Sequence, residues 1–411
     1  MNWLSVEWIV ALRFLREGRA QTALILGGVT LGAAVIVYIS ALITGLQANI
    51  ISRTLGTQAH IVVKPAEDEV QTILQHLQTD DAAVISAVQK RAQRLQSITE
   101  WQKVYRYLQT VPSITAVSAM VSGAGFAIRG DANKSVAIIG VDAEEYRQII
   151  DMPAKMVAGE YRLGSEDVVI GTELAKDLGA WVGDKMRITT AENHSQVFII
   201  AGIFDLGIKD LNRRWVMIQT HNAQNLLNLA GGASEIDLRV TEIFNADDVA
   251  NDIAARFGVE ADSWMKTNTQ LMLGLRSQSA SSWMIRVFVT ISVAFGIASV
   301  LVVSVVQKKR EIGIMRAMGI SSRSVMIIFL IQGGLVGFIG SIFGLMIGGS
   351  WAYLFSHLIK NADGTPVFQV SVSPGLFIGA LITATLTGLV AAAVPAFRAA
   401  KLDPVVAIRN V

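Results

Sequence analysis

The reactive side chains of this chain do not gather into a catalytic set. Its five histidines, His60, His194 and His357 among them, stand singly along the sequence. No HExxH, GxSxG or paired metal-ligand spacing accompanies them, so each reads as a packed or solvated residue rather than a ligand. Cysteine is absent, which removes disulfides and thiolate metal sites. No GxxxxGKS/T phosphate loop occurs, so the chain does not hold ATP by that device. What remains is recognition chemistry, and the stretch QKKREIGIMRAMGISSRS, residues 307–324, concentrates it. It carries five basic residues and one acid, yet Ile312, Ile314, Met315 and Met318 are as apolar as any core. Ile312, Met315 and then Met318 or Gly319 recur three to four residues apart, so a short helix here is apolar on one side, with Arg310 and Arg316 off it. Two occupants fit that side: lipid at the membrane surface, or a cleft in a separate cytoplasmic motor.

The elements around this stretch weigh between those occupants. The chain is 52% hydrophobic and only 17% charged, where soluble domains carry about a quarter charged residues. Four charge-free intervals account for the deficit, and each is long enough to cross about 30 Å of hydrocarbon as a helix. They predict an integral membrane protein with spans at 21–46, 283–306, 324–356 and 374–397. The first begins about twenty residues in and has an apolar core longer than a signal peptide needs, so it reads as a retained helix. Arg13, Arg16 and Arg19 precede it, Lys308, Lys309, Arg310, Arg316 and Arg323 lie between the second and third spans, and Arg398, Lys401 and Arg409 follow the fourth. The positive-inside rule then places both termini and the 307–323 segment in the cytoplasm, with 47–282 and the 357–373 loop outside. Residues 1–20 form a cytoplasmic amphipathic segment and 398–411 a cytoplasmic tail. A net charge of +2 gives no reason to expect a nucleic-acid partner. With no nucleotide site of its own and its mass on the other side of the membrane, the chain favours a motor over lipid as the occupant of the 307–323 helix.

The outer stretch reads as a large α/β domain. Helical spacing fills residues 67–110, and β-branched runs follow at SITAVSAMV, GFAIRG, SVAIIGV, EDVVIG, KMRITT, QVFIIAGIF, RWVMIQT and EIDLRV. Short helices are expected at GTELAKDLG and NADDVANDIAARFG, and a small β lobe at about 165–220. In the third span Gly340, Gly344 and Gly348 recur every four residues, with Gly333 and Gly337 on a related face, and the first span has Gly28 and Gly32. Small residues at that spacing let helix backbones approach closely in lipid, either within one chain or between subunits.

The block VVQKKREIGIMRAMGISSRSVMIIFLIQGGLVGFIGSIFGLMIGG, with its core REIGIMRAMG and the closing PAFRAAKLDPVVAIRN, resembles the C-terminal part of the FtsX-like permeases. That group includes the MacB-type exporters and the lipoprotein-releasing Lol permeases. The order of elements matches along the whole chain, and LIQGGLVGFIGSIFG and SVAIIGVD lean toward the Lol branch. The resemblance implies a non-enzymatic permease half of an ABC transporter. It would work with an identical or different second permease subunit and with a dimer of cytoplasmic ATPases, which would bind the ATP and Mg. It implies a coupling helix over Arg310, Glu311, Ile312, Gly313, Ile314, Met315, Arg316, Ala317, Met318 and Gly319. Ile312, Ile314 and Met315 would fill a cleft in the motor, and Arg310, Glu311 and Arg316 would fix register. The first helix, running out of the membrane toward Arg53, would transmit the motion. The chain departs from the Lol subunit that recruits a periplasmic chaperone, because AENHSQ (residues 191–196) is too short for that subunit's long hook. Three functions follow: export of lipoprotein or lipid-like cargo to a periplasmic acceptor, tripartite efflux with a periplasmic adaptor, or transport-free regulation. The size of the outer domain ranks the last of these third.

Overall fold

The computed structural model describes residues 3–66, 95–358 and 374–403. Most of the long helical run expected at 67–110, the 359–373 loop and the tail from 404 lie outside the described residues. In chain order the helices are α1 (Trp3–Glu17), α2 (Arg19–Leu55), α3 (Trp101–Leu108), α4 (Ala143–Ile149), α5 (Thr172–Leu178), α6 (Lys209–Arg214), α7 (Thr220–Leu226), α8 (Ala246–Phe257), α9 (Trp264–Thr267), α10 (Thr269–Gln307), α11 (Lys309–Ala317), α12 (Ser322–Leu358) and α13 (Pro374–Ala400). The strands are β1 (Ile61–Lys64), β2 (Ile114–Arg129), β3 (Ala132–Val141), β4 (Met156–Gly159), β5 (Asp167–Gly171), β6 (Lys185–Thr190), β7 (Ser195–Phe204), β8 (Trp215–Gln219), β9 (Glu235–Val240) and β10 (Glu260–Ser263). They divide into two units: Met1–Ile51 with Leu273–Val411, and Ser52–Met272.

In the first unit α2, α10, α12 and α13 are long and apolar enough to cross a membrane. Helix α2 continues to Leu55 and α10 starts at Thr269, both beyond the apolar intervals, because the flanking residues contain no proline to end them. Past the apolar stretch, the Gln47 side-chain amide donates to Ser279 Oγ at 3.0 Å, tying α2 to α10.

The second unit is built on one ten-stranded sheet in the order β10-β1-β9-β2-β3-β8-β5-β7-β4, with β6 pairing β2 and β7. Strand β2 is its organiser: residues 114–120 pair with β9, 121–129 with β3 and 125–128 with β6. On one face Ile138, Val168, Ile170, Val216 and Ile218 pack with Leu174 and Leu226. The alternate residues Ile139, Val141, Val169 and Met217 pack on the other face with Tyr146 and Ile149 of α4. Burial on both faces explains why these strands read as near-continuous apolar runs. The separate lobe expected at 165–220 does not form as such: its strands β5 to β8 join β2 and β3, which supply Val121, Ala127, Val136 and Ile138 to its core. Short strands cannot cover both their faces alone, so they borrow neighbours. The β6–β7 hairpin closes over residues 191–194, with Asn193 at φ 65° and the Thr190 N–H donating to His194 O at 2.9 Å.

Candidate functional site

Helix α11 is a discrete element because both its ends are encoded. Lys308 separates it from α10, and the Ile312 N–H reaches back to Lys308 O at 2.9 Å. At the other end Gly319 adopts φ 97°, the Gly319 N–H donates to Arg316 O and the Ile320 N–H to Met315 O, both at 3.1 Å. This pair of bonds is a Schellman cap, which needs a residue without a Cβ penalty at the left-handed position. Ser321 Oγ then accepts from the Ser324 N–H at 3.1 Å and opens α12.

The faces of α11 are not those the sequence implied. Ile312 has no exposed surface and packs with Phe14, Val305, Val325 and Phe329. Gly313 is buried beside it, and Met315 packs partly against the same core. Ile312 therefore cannot fill a cleft in another protein: the apolar side at three-to-four spacing is the side this chain keeps for itself. Arg310, Glu311, Ile314, Ala317, Met318 and Gly319 face outward. Ile314 keeps 42% and Met318 72% of its surface exposed. The outward face is thus an apolar pair beside Arg310 and Glu311.

Arg316 also departs from the expected role. Its Nη1 donates to Ala400 O at 2.9 Å and to Leu402 O at 2.7 Å, at the C-terminal end of α13. At the opposite end of α11, Lys308 Nζ donates to Glu17 at 2.6 Å and to Glu311 at 2.7 Å, while Arg13 bonds Glu17 at 2.7 Å. The Lys308 ammonium also lies 5.3 Å from the centre of the Phe14 ring. These hydrogen bonds hold the Lys308 ammonium above its ordinary range and the Glu17 carboxyl below its own. The sequence marked Lys308 as basic, but Glu17 and the α13 carbonyls become its neighbours and those of Arg316 only in the folded bundle.

The glycines divide between two neighbours of α12. A methyl on Gly344 would stand 2.8 Å from Thr30 O, and one on Gly348 would stand 2.6 Å from Ala34 O, both on α2. Gly340 faces Val29 of the same helix, and Gly337 lies against Ala384 and Thr385 of α13. Gly333 meets Gly388 backbone to backbone, and Gly32 meets Val293 of α10. Gly28, expected at a helix contact, faces open space, with nothing within 4 Å of its Cβ position.

Among the described residues no His/Asp/Glu cluster could hold a metal. His60 accepts from the Val240 N–H at 3.1 Å, and burial holds its imidazole below the ordinary value. His194 and His357 each bond a nearby backbone carbonyl instead. One buried acid went unnoticed in the sequence. Asp237 of β9 lies opposite Val62 and Ser118, is 5% exposed, and has no hydrogen-bond partner on Oδ1. Burial, reinforced by Glu235, pushes its carboxyl up to about 8.

Four membrane-length helices, an outer domain inserted between the first and second, and a capped helix with an exposed apolar pair between the second and third define a membrane permease. The chain belongs to the FtsX/MacB-like permease family of ABC transporters: residues 283–404 match the FtsX-like permease C-terminal model and residues 22–256 the MacB-like periplasmic core domain. It is 24% identical to the lipoprotein-releasing system transmembrane protein LolC of Neisseria meningitidis serogroup B, over 98% of this chain and 99% of that one. It is 35% identical to the macrolide export ATP-binding/permease protein MacB of Bordetella avium, over 30% of this chain and 18% of that one. Among solved structures, the periplasmic region of MacB from Actinobacillus actinomycetemcomitans aligns with a TM-score of 0.33 and 12% identity, covering 54% of this chain and 95% of that one.

Proposed function

We propose that this permease draws lipoprotein or other lipid-like cargo from the outer leaflet of the inner membrane toward a periplasmic acceptor. The energy comes from a separate dimer of ABC-type ATPases in the cytoplasm, which binds ATP and Mg and docks on α11. In this reading both termini and α11 are cytoplasmic, the unit Ser52–Met272 is periplasmic, and a second permease subunit completes the pair. The observation that carries the docking reading is the exposure of Ile314 and Met318 on a helix whose opposite side buries Ile312 and Gly313 in this chain's own core. A helix anchored so firmly from within presents its outer pair as a preformed surface, which lowers the ordering cost of docking. Alignment with LolC over nearly all of both chains supports the cargo class. A second reading, efflux with a periplasmic adaptor, draws on the four-residue β6–β7 turn, which leaves no projecting hook for a chaperone. Affinity isolation of the chain from native membranes, followed by mass spectrometry, tests both. Recovery of an ABC ATPase with a lipoprotein acceptor supports the first reading, and an adaptor with an outer-membrane channel supports the second. A membrane-assembled chain with no ATPase partner refutes both.

A further inference from the structure

Arg316 sits within the docking helix, yet its guanidinium is spent on this chain rather than offered to a partner. Nη1 spans two carbonyls, Ala400 O and Leu402 O, where α13 ends. The last carbonyls of a helix have no partner within it, and that end carries partial negative charge, so a cation placed there both caps and is attracted. From α13 the contacts continue without a gap that side chains could absorb. Gly388 of α13 lies against the backbone of Gly333, and Gly337 against the Ala384 and Thr385 backbone. Higher on α12, Gly344 and Gly348 lie against the Thr30 and Ala34 backbone of α2. Backbone-to-backbone contacts transmit displacement because no rotamer change can take up the movement.

We infer, building on the docking reading above, that Arg316 is the positioning residue that passes motion of α11 into α13, and thence to α12 and α2. Lys308 holds the other end of α11 to α1, and the Arg316 bonds tie its C-terminal end to the fourth span. The requirement is for a cation at the end of α13: both carbonyls are served from the single nitrogen Nη1, and a lysine ammonium keeps that charge and carries three donors.

The test uses the whole permease–ATPase complex in nanodiscs. Hydrogen exchange across residues 52–272 is read by mass spectrometry with and without ATP and vanadate, alongside ATPase co-purification and hydrolysis. In Arg316→Met the ATPase is expected to stay bound and to hydrolyse ATP, while the ATP-dependent exchange difference is lost. Arg316→Lys, which keeps the charge and the donors, is expected to recover it. The double variant Arg316→Cys/Leu402→Cys supplies its own folding control: uncoupled when reduced, and coupled again when a short bismaleimide joins the two thiols. A wild-type exchange difference in Arg316→Met overturns the inference, as does failure of the cross-link to restore coupling. Loss of the ATPase from Arg316→Met also overturns it, because Arg316 would then belong to docking itself. A wild-type chain that binds no ATPase instead sinks the docking reading, so the two failures are separable.

Discussion

Truncating Ile314 and Met318 together to alanine should weaken ATPase docking while leaving the permease fold intact. Ile314 exposes 42% and Met318 72% of its surface. Full burial of such a side chain contributes about 1.5–3 kcal/mol. Covering the exposed fractions of both is then a matter of about 2–3 kcal/mol, or roughly 30- to 150-fold in affinity. Ile312→Ala gives the contrast. It removes a side chain with no exposed surface and leaves a cavity in the bundle, costing about 2–5 kcal/mol of stability. Biolayer interferometry of purified ATPase against nanodisc-held permease reads the first effect, and thermal unfolding of the permease reads the second. The expected pattern is low affinity with normal melting for the outer pair, and lowered melting for Ile312→Ala. Unchanged affinity in the outer-pair variant refutes the assignment of the docking face. Normal melting with lost affinity in Ile312→Ala would show that the helix docks by the opposite side.

Asp237→Asn should stabilise the outer domain increasingly as pH rises. The folded carboxyl is raised from 3.8 to about 8, so the wild-type fold takes up a proton that the unfolded chain releases, and its stability is fully present below 3.8 and declines toward 8. Asn cannot ionise, so parallel wild-type and variant melting curves across that range would refute the assignment. Gly344→Leu should cost about 1–3 kcal/mol by overpacking against α2, whereas Gly28→Ala, facing open space, should leave detergent melting unchanged; equal melting of the two variants would contradict the assigned contacts. Because the chain has no cysteine, single thiols report topology cleanly. Ser195→Cys should react with an impermeant maleimide applied from outside and Ser322→Cys should not, and the reverse result would invert the orientation.

Hydropathy and charge made the membrane unit legible, since a helix in lipid must be apolar along its whole crossing. The four spans and the GIMRAMG signature of α11 stand in the sequence directly, and Gly319 encodes the cap that ends the helix. Which side of α11 turns inward was not legible. Three-to-four spacing marks an apolar side without saying whether Phe14 and Phe329 of the same chain or a partner will cover it. The Arg316 and Lys308 contacts join residues more than eighty positions apart, so no local pattern predicts them. In the outer domain the eight β-branched runs became strands, with SITAVSAMV and GFAIRG fused into the 16-residue β2. Strands β1, β4 and β10 are four residues each, too short for periodicity to register. EADS in β10 carries no β signal and owes its conformation to pairing with β1.

The uninterrupted run of β2 has a mechanical consequence. One stretch of peptide backbone borders β9 through its first half and both β3 and β6 through its second. Such a tie-rod resists shear between the two halves of the sheet, since any relative slip must break several ladder bonds at once. Among the described residues, the two halves of the sheet are therefore joined as a stiff lever rather than a clasp.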